Sequence, residues 1–362
     1  MKEYASRLMS RLQSTEKSEK ADAVYITDPY NMRYISGFAG GEGALLITQE
    51  RCVLITDSRY TEAAQNESDF EVIEESRKHR REAILQEICQ QQAVQHIAYE
   101  DLHLTCAAFA KLRKALPEIS SWIPAGEEVN HLRRVKTAEE IALLQRAEAI
   151  GDAAFEDLRK ILKTGMTELE VAAELEYFMK KHGAERLSFE TIVASGPNSS
   201  MPHAVPTDRK IQRGDFLTMD FGCCYHGYCS DMTRTVAFGG LEARQTEIYE
   251  TVLQAQKTAL AVIRAGITGE EADRAARDII EGAGYGECFG HSLGHSVGLY
   301  IHEDPRLAPG AEDVLEPGMA VTVEPGIYLP GYCGVRIEDL VIVTEDGCRN
   351  LTSSPKELLI FD

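Results

Sequence analysis

At 362 residues, with 44% hydrophobic and 27% charged positions, the chain has the balance of a folded protein and is longer than one hydrophobic core usually supports, which points to two domains. Its formal net charge of −20 would repel a phosphate backbone or an anionic bilayer, which excludes nucleic acid and membrane surfaces as natural partners. Some of that acidity is accounted for if carboxylates gather around cations that the formula leaves out.

The first twenty residues carry charge throughout and contain no apolar stretch of the kind an export signal needs, so a cytoplasmic protein is expected. Residues 23–27 (AVYIT), 44–48 (ALLIT), 52–56 (CVLIT) and 97–100 (IAYE) read as strands far too short to cross a bilayer, and residues 81–92 and 105–116 read as helices. This alternation predicts a small α/β domain. Two polar clusters, 31–34 (NMRY) and 57–60 (DSRY), read as loop chemistry at strand ends. A Pro/Gly break at Ile123-Pro124-Ala125-Gly126 puts the domain boundary near residue 125, giving domains 1–125 and 126–362. Just beyond it, Thr137 and Glu140 form a capping box that should open a long helix.

The second domain contains an internal duplication. Residues 163–183 and 264–284 share a Gly, an N-capping Thr, a Glu three positions later and a closing Gly: Gly165, Thr167, Glu170 and Gly183 against Gly266, Thr268, Glu271 and Gly284, all 101 residues apart. Residues 211–222 and 315–326 also align without gaps, 104 residues apart, through Gly214/Gly318, Thr218/Thr322 and Gly222/Gly326. Two matches in the same order at nearly equal offsets indicate two copies of one unit. In each, a short apolar strand ends in an acid, Asp220 in the first copy and Glu324 in the second, so an approximate two-fold would bring the two acids to one place.

After each strand the chain turns back and presents another acid, Asp231 after 11 residues and Glu338 after 14. Four carboxylates within a few ångströms cannot all stay ionised unless cations are present, and two divalent ions would cancel their charge. Three histidines, His291, His295 and His302, fall within twelve positions of a glycine-rich stretch, a concentration that points to a functional role and to one imidazole completing the set. An oxygen-rich site with one nitrogen suits Mn²⁺, Co²⁺, Fe²⁺ or Zn²⁺, and a pair of such ions makes hydrolysis the natural chemistry. The nine cysteines, an odd number without repeated CxxC, suit a reducing compartment. Cys223, Cys224 and Cys229 cluster but lack the paired Cys/His spacing of a thiolate zinc site.

On MDFG with Asp220, SDMTRT with Asp231, GHSLGHSVGL with His295, VEPGIY with Glu324 and GVRIED with Glu338, the chain resembles the M24 metallopeptidases of the pita-bread fold, in their Xaa-Pro aminopeptidase and proline dipeptidase branch. The resemblance covers nearly the whole chain. It implies an α/β creatinase-like amino-terminal domain and an α+β pita-bread catalytic domain with a pseudo-two-fold repeat. It further implies two Mn²⁺-type ions bridged by Asp231 and Glu338, with Asp220 on one ion and His295 and Glu324 on the other, and an activated water that attacks the carbonyl before proline. By the same resemblance Glu324 relays a proton, His203 in MPHAVP and His302 hold the substrate and the developing oxyanion, His291 lines the pocket, and Arg336 lies where its fork could grip a carboxylate. A homodimer is implied as well.

Within that branch, residues 36–64 resemble the short bacterial aminopeptidase P-like members, so release of the first residue from peptides with proline second is the leading expectation. The alternatives are a prolidase restricted to Xaa-Pro dipeptides and, more remotely, a non-catalytic binding protein on the same fold. The complete ligand set argues against the last.

Overall fold

The computed structural model describes residues 2–14 and 20–362; residues 15–19, part of the charged amino-terminal stretch, lie outside the described residues. The chain divides into two compact units, Met1–Arg133 and Arg134–Asp362.

The first unit runs α1 (Lys2–Ser14), β1 (Ala23–Ile26), α2 (Pro29–Ser36), β2 (Ala44–Thr48), β3 (Cys52–Asp57), α3 (Thr61–Glu67), β4 (Glu71–Glu75), α4 (Arg81–Gln91), β5 (His96–Tyr99), α5 (Cys106–Ala115), β6 (Ser121–Pro124) and α6 (Gly126–His131). Its six strands form one mixed sheet in the order β4-β3-β2-β1-β5-β6. The continuous apolar runs of β1 and β2 are buried along their whole length, as a strand covered on both faces requires. Two expectations are corrected. Residues 31–34 are helical rather than a loop, because Asp28 caps α2 by accepting from the Tyr30 and Asn31 amides and Pro29 pre-sets its first turn. Asn31 is buried there and donates to the Glu100 carboxylate at 2.7 Å. The stretch 123–126 is likewise not a break: Pro124 ends β6, an edge strand where its missing N–H costs nothing, and Gly126 opens α6.

The second unit begins with α7 (Ala138–Arg159), whose Thr137–Glu140 capping box forms as expected, and α8 (Glu168–Lys181). There follow β7 (Arg186–Leu187), β8 (Ile192–Ser195), β9 (Phe216–Phe221), β10 (Cys223–Tyr225), β11 (Tyr228–Cys229) and β12 (Met232–Phe238). The second half repeats the plan with α9 (Ala243–Val262), α10 (Gly269–Gly282), β13 (Gly294–Ser296), β14 (Glu303–Leu307), β15 (Ala320–Val323), β16 (Gly326–Leu329), β17 (Cys333–Arg336) and β18 (Asp339–Val343), then β19 (Cys348–Asn350) and β20 (Ile360–Phe361).

The duplication read from the sequence is physical. Helices α8 and α10 open with the same two-way capping box, Thr167–Glu170 and Thr268–Glu271, each capping Thr bridged to an outlying strand residue, Lys210 or Val314. Strands β8, β9 and β12 pair antiparallel in one sheet, and β13, β15 and β18 do so in another. Even the register repeats: Ser195 lies opposite Leu217, and Ser296 opposite Val321. Each sheet packs its own helix pair over its own apolar core, one centred on Phe155, Leu175 and Met219, the other on Ile248, Ala276 and Val321.

Candidate active site

The two sheets meet through their return strands. The Glu338 amide donates to the Thr233 carbonyl at 3.1 Å, so β12 and the start of β18 run side by side. Alongside, Arg234 and Asp339 form an ion pair at 2.8 Å with both side chains almost fully buried, and Gln256 and Lys356 also reach Asp339. A buried pair of this kind adds little net stability over an apolar one but tolerates only one relative placement of the strands that carry it. That placement sets the carboxylates beside them.

Asp220 lies on β9 opposite Thr233 on β12. By the gap-free match of the halves, Glu324 takes the place of Asp220 and Glu338 therefore takes that of Thr233, not of Asp231. The two hairpins differ in length, so the second acid of each half falls two positions apart on the return strand. Thr233 and Glu338 compensate by meeting directly, the hydroxyl donating to Glu338 Oε2 at 2.7 Å. Asp231, just before β12, is held from the other side by the carboxylate of Glu148 on α7, which accepts its amide at 2.8 Å.

His295 on β13 has no counterpart in the first half, where the register puts Ala194 at that position. Its amide donates to Thr322 Oγ1 at 3.0 Å, and its Nδ1 lies 3.1 Å from the Ser296 carbonyl. A carbonyl only accepts, so Nδ1 carries the proton and Nε2 presents a lone pair. Nε2 sits 3.5 Å from Asp231 Oδ2 and 3.4 Å from Glu324 Oε1. Gly294, next in sequence, admits this approach: a Cβ there would fall 2.0 Å from the Thr322 carbonyl oxygen. Thr322 also donates to Glu324 Oε1 at 3.1 Å.

Asp231, His295 and Glu338 offer ligand atoms all within 4.8 Å of one another, and all three residues are buried. Burial, and then the neighbouring Glu338, Asp220 and Glu324 carboxylates, push Asp231 well above the usual carboxylate range. Glu338 is raised in the same way by burial and by Glu324 and Asp220. Burial lifts Glu324 to about 8 against the opposing pull of Arg336, and burial lifts Glu148 to about 8. Burial lowers His295 to about 3 and His291 to about 4, so both are neutral at physiological pH.

Asp220 accepts from Arg336 at 2.7 Å through Oδ2, while its buried Oδ1 has no hydrogen-bond partner. A buried carboxylate oxygen left without a donor costs several times an ordinary hydrogen bond unless a cation faces it. Arg336 itself is fully engaged: Nε on Thr233 Oγ1, NH1 on Tyr328 Oη and the Pro202 carbonyl, NH2 on Asp220. The fork that could have gripped a substrate carboxylate thus holds the protein's own aspartate. Tyr328 accepts from Arg336 and lies 2.8 Å from His291 Nε2; because His291 Nδ1 faces the Ser292 carbonyl, the tyrosine donates to Nε2.

All nine side chains singled out in the sequence, Asp220, Asp231, His295, Glu324, Glu338, His203, His291, His302 and Arg336, line one cavity of about 640 Å³. The rings of His295 and His302 lie 4.6 Å apart at 76°. Phe189, Ile192, Val205 and Pro206 supply an apolar wall, and the exposed Arg306, opposite His295 in the β13–β14 register, adds a cation. Sequence reasoning missed Glu148, Thr233, Thr322, Tyr328 and Arg306. Glu148 left a legible trace, an acid on the apolar stripe of α7 formed by Leu144, Ala147, Gly151, Phe155 and Leu158. Thr322 was visible as a repeated threonine but carried no assigned role.

Comparison with known proteins adds independent findings. Residues 142–345 match metallopeptidase family M24, and residues 9–135 match the creatinase/prolidase N-terminal domain. An Xaa-Pro dipeptidase of Pyrococcus furiosus is 40% identical over 93% of this chain and 95% of its own length. Among solved structures, an Xaa-Pro dipeptidase from Bacillus anthracis superposes with a TM-score of 0.93 at 44% identity, covering 98% of this chain and 99% of that one. An X-Pro aminopeptidase from Thermotoga maritima gives 0.90 at 38% identity, with 98% and 99% covered.

Proposed function

Given that the chain belongs to metallopeptidase family M24, with a creatinase-like amino-terminal domain before a pita-bread catalytic domain, we propose that it cleaves the bond before proline in short peptides with proline second. One observation carries the reading: four carboxylates and a neutral imidazole converge on one cavity, with a buried Asp220 oxygen left unpartnered.

The donor set fits a pair of divalent cations, since a mostly oxygen shell with one imidazole nitrogen suits Mn²⁺, with Co²⁺, Zn²⁺ or Fe²⁺ as alternatives. Asp220, Asp231, His295, Glu324 and Glu338 would hold them. Such ions lower the pKa of water and polarise a carbonyl oxygen. The remaining work falls to the chain's own side chains. Thr233 and Arg336 fix the rotamers of Glu338 and Asp220. The Ser296 carbonyl keeps the His295 proton on Nδ1, and Glu324 moves a proton from the attacking water to the departing nitrogen. His203, His291 and His302 line the space where the scissile carbonyl would sit; His203 and His302 can donate to it, whereas both ring nitrogens of His291 are already bonded, to the Ser292 carbonyl and the Tyr328 hydroxyl.

The proline ring needs an apolar wall, and its imide nitrogen offers no hydrogen to satisfy. Phe189, Ile192, Val205 and Pro206 provide such a wall. With Arg336 committed to Asp220, Arg306 is the guanidinium placed to meet a peptide carboxylate. Of the compared relatives, the two at 40% and 44% identity bear the dipeptidase name and the one at 38% the aminopeptidase name, so the dipeptidase alternative has the closer support. A cytoplasmic homodimer is the form we infer; among the described residues no helix is long and apolar enough to cross a membrane, and the dimer rests on family resemblance.

The test compares turnover of Ala-Pro with that of Ala-Pro-Yaa tripeptides by the Mn²⁺-loaded protein. Turnover confined to Ala-Pro is expected from a dipeptidase. Efficient cleavage of the longer peptides would restore the aminopeptidase reading, and no cleavage of either would remove both.

A further inference from the structure

The hairpin β10–β11 joins the strand carrying Asp220 to Asp231, and it holds two thiols face to face. Cys224 and Cys229 are cross-strand partners with their Sγ atoms 3.3 Å apart. Their main-chain groups turn outward: the Cys229 amide donates to the Gly298 carbonyl, and the Cys224 carbonyl accepts from the Glu185 amide. They therefore form a non-hydrogen-bonded pair, the antiparallel arrangement in which opposed residues approach most closely, with Cα atoms about 4.5 Å apart, inside the range a disulfide spans.

The turn that closes the hairpin is two residues long, His226 and Gly227, both with positive φ (46° and 84°), which matches the twist of the strands and keeps the two cysteines in register. Cys223, one position earlier, faces away toward the Ala147 carbonyl. The equivalent hairpin of the second half, β16–β17, has only Cys333, opposite Leu329. The dithiol is thus a property of the first half alone. Although both thiols are buried, they lie one residue pair in from the exposed His226 at the turn, a short path for a small oxidant.

We propose that Cys224 and Cys229 are a redox modification site, at which a hydroperoxide converts the two thiols into a disulfide within the folded protein. One thiolate attacks the peroxide, the O–O bond breaks, and a sulfenic acid and one water (or alcohol) form. The second thiol then attacks the sulfenic sulfur, the S–S bond forms and a second water leaves, so that two thiols are oxidised and one peroxide is reduced. The bridge ties together the strand that leads out from Asp220 and the one that leads into Asp231.

The experiment exposes the Mn²⁺-loaded full chain to hydrogen peroxide under native conditions and blocks remaining thiols with one alkylating agent in denaturant. Disulfides are then reduced, and the released thiols are blocked with a second, mass-distinct agent. The second label is expected on Cys224 and Cys229 in equal amounts, with Cys223 and Cys333 carrying the first, and dithiothreitol given before the first block should abolish it. In Cys224→Ser, Cys229 should carry no second label, and loss of two hydrogens from the intact mass should disappear. Second label on neither cysteine, on a pair that includes Cys223, or irreversible sulfinic acid at Cys224 would overturn the proposal. The labelling needs no substrate, so its outcome is independent of whether the chain cleaves Xaa-Pro bonds.

Discussion

The two halves of the catalytic unit share helices, caps, strand order and register, yet they contribute unequally to the site. Each supplies two carboxylates. Only the second supplies the imidazole, His295, where the first has Ala194, and only the second supplies Arg336. The first half answers with supporting groups: Thr233 donates to Glu338 and receives Arg336, and Glu148 holds the Asp231 amide. Duplication thus builds a symmetric frame, and the asymmetry that chemistry needs enters through single side chains and a difference in hairpin length.

Removing one carboxylate from each half should have the largest effect. Asp231→Asn and Glu338→Gln should each lower kcat/KM beyond the ~100-fold that loss of a supporting group costs. Measured metal content should fall in both. If only one of the two variants lost activity, the halves would not share one centre.

Thr233→Val tests the cross-half support. It removes the hydroxyl shared by Glu338 and Arg336 while keeping the strand, and about 10- to 100-fold in metal affinity or activity should be lost. Thr218→Val, at the repeated position that does not touch the carboxylates, should change either quantity far less.

A smaller effect separates the halves by pH in the metal-free protein. Glu324 is lifted from 4.5 to about 8 on folding, so the stability tied to its protonated form is complete below about 4.5 and lost as pH rises through about 8. Asp231 and Glu338 are raised in the same sense. His295 has the opposite sign, lowered from 6.5 to about 3, so above pH 6.5 it is neutral in both states and contributes no slope. Between pH 6.5 and 8 the Tm of metal-free protein should therefore fall, and added Mn²⁺ should flatten the profile. A Tm that rose across this interval without metal would contradict the clustering of the acids.

The smallest effect is expected where the halves are most alike. Thr167→Ala and Thr268→Ala remove equivalent caps and should each cost about 1 kcal/mol by denaturant unfolding, with no change in metal content.

What the sequence disclosed follows the same division. The caps and the acid-ended strands were legible because they recur: Thr167 with Thr268, Asp220 with Glu324. The strands β1, β2, β3 and β5 and the helices α4 and α5 were legible from apolar runs and periodicity. Helix α2 was missed although its start is signalled locally by Asp28 and Pro29, because Asn31 reads as loop polarity until its buried partner Glu100, 69 residues away, is seen. Nor could Thr233 or the engagement of Arg336 be read locally, since each depends on strands from opposite halves coming into hydrogen-bond range, and Tyr328 depends on His291, 37 residues away. The exchange of partners between Asp231 and Thr233 opposite Glu338 needed the strand register, which spacing alone does not supply.

The most direct measurement is a titration of metal-free protein with Mn²⁺ by calorimetry, read with elemental analysis of the dialysed product. Two ions per chain are expected, bound with release of protons from the raised carboxylates, and fewer than two in Glu338→Gln. A chain that bound no Mn²⁺, or whose stoichiometry was unchanged by Glu338→Gln, would contradict a centre built jointly by the two halves.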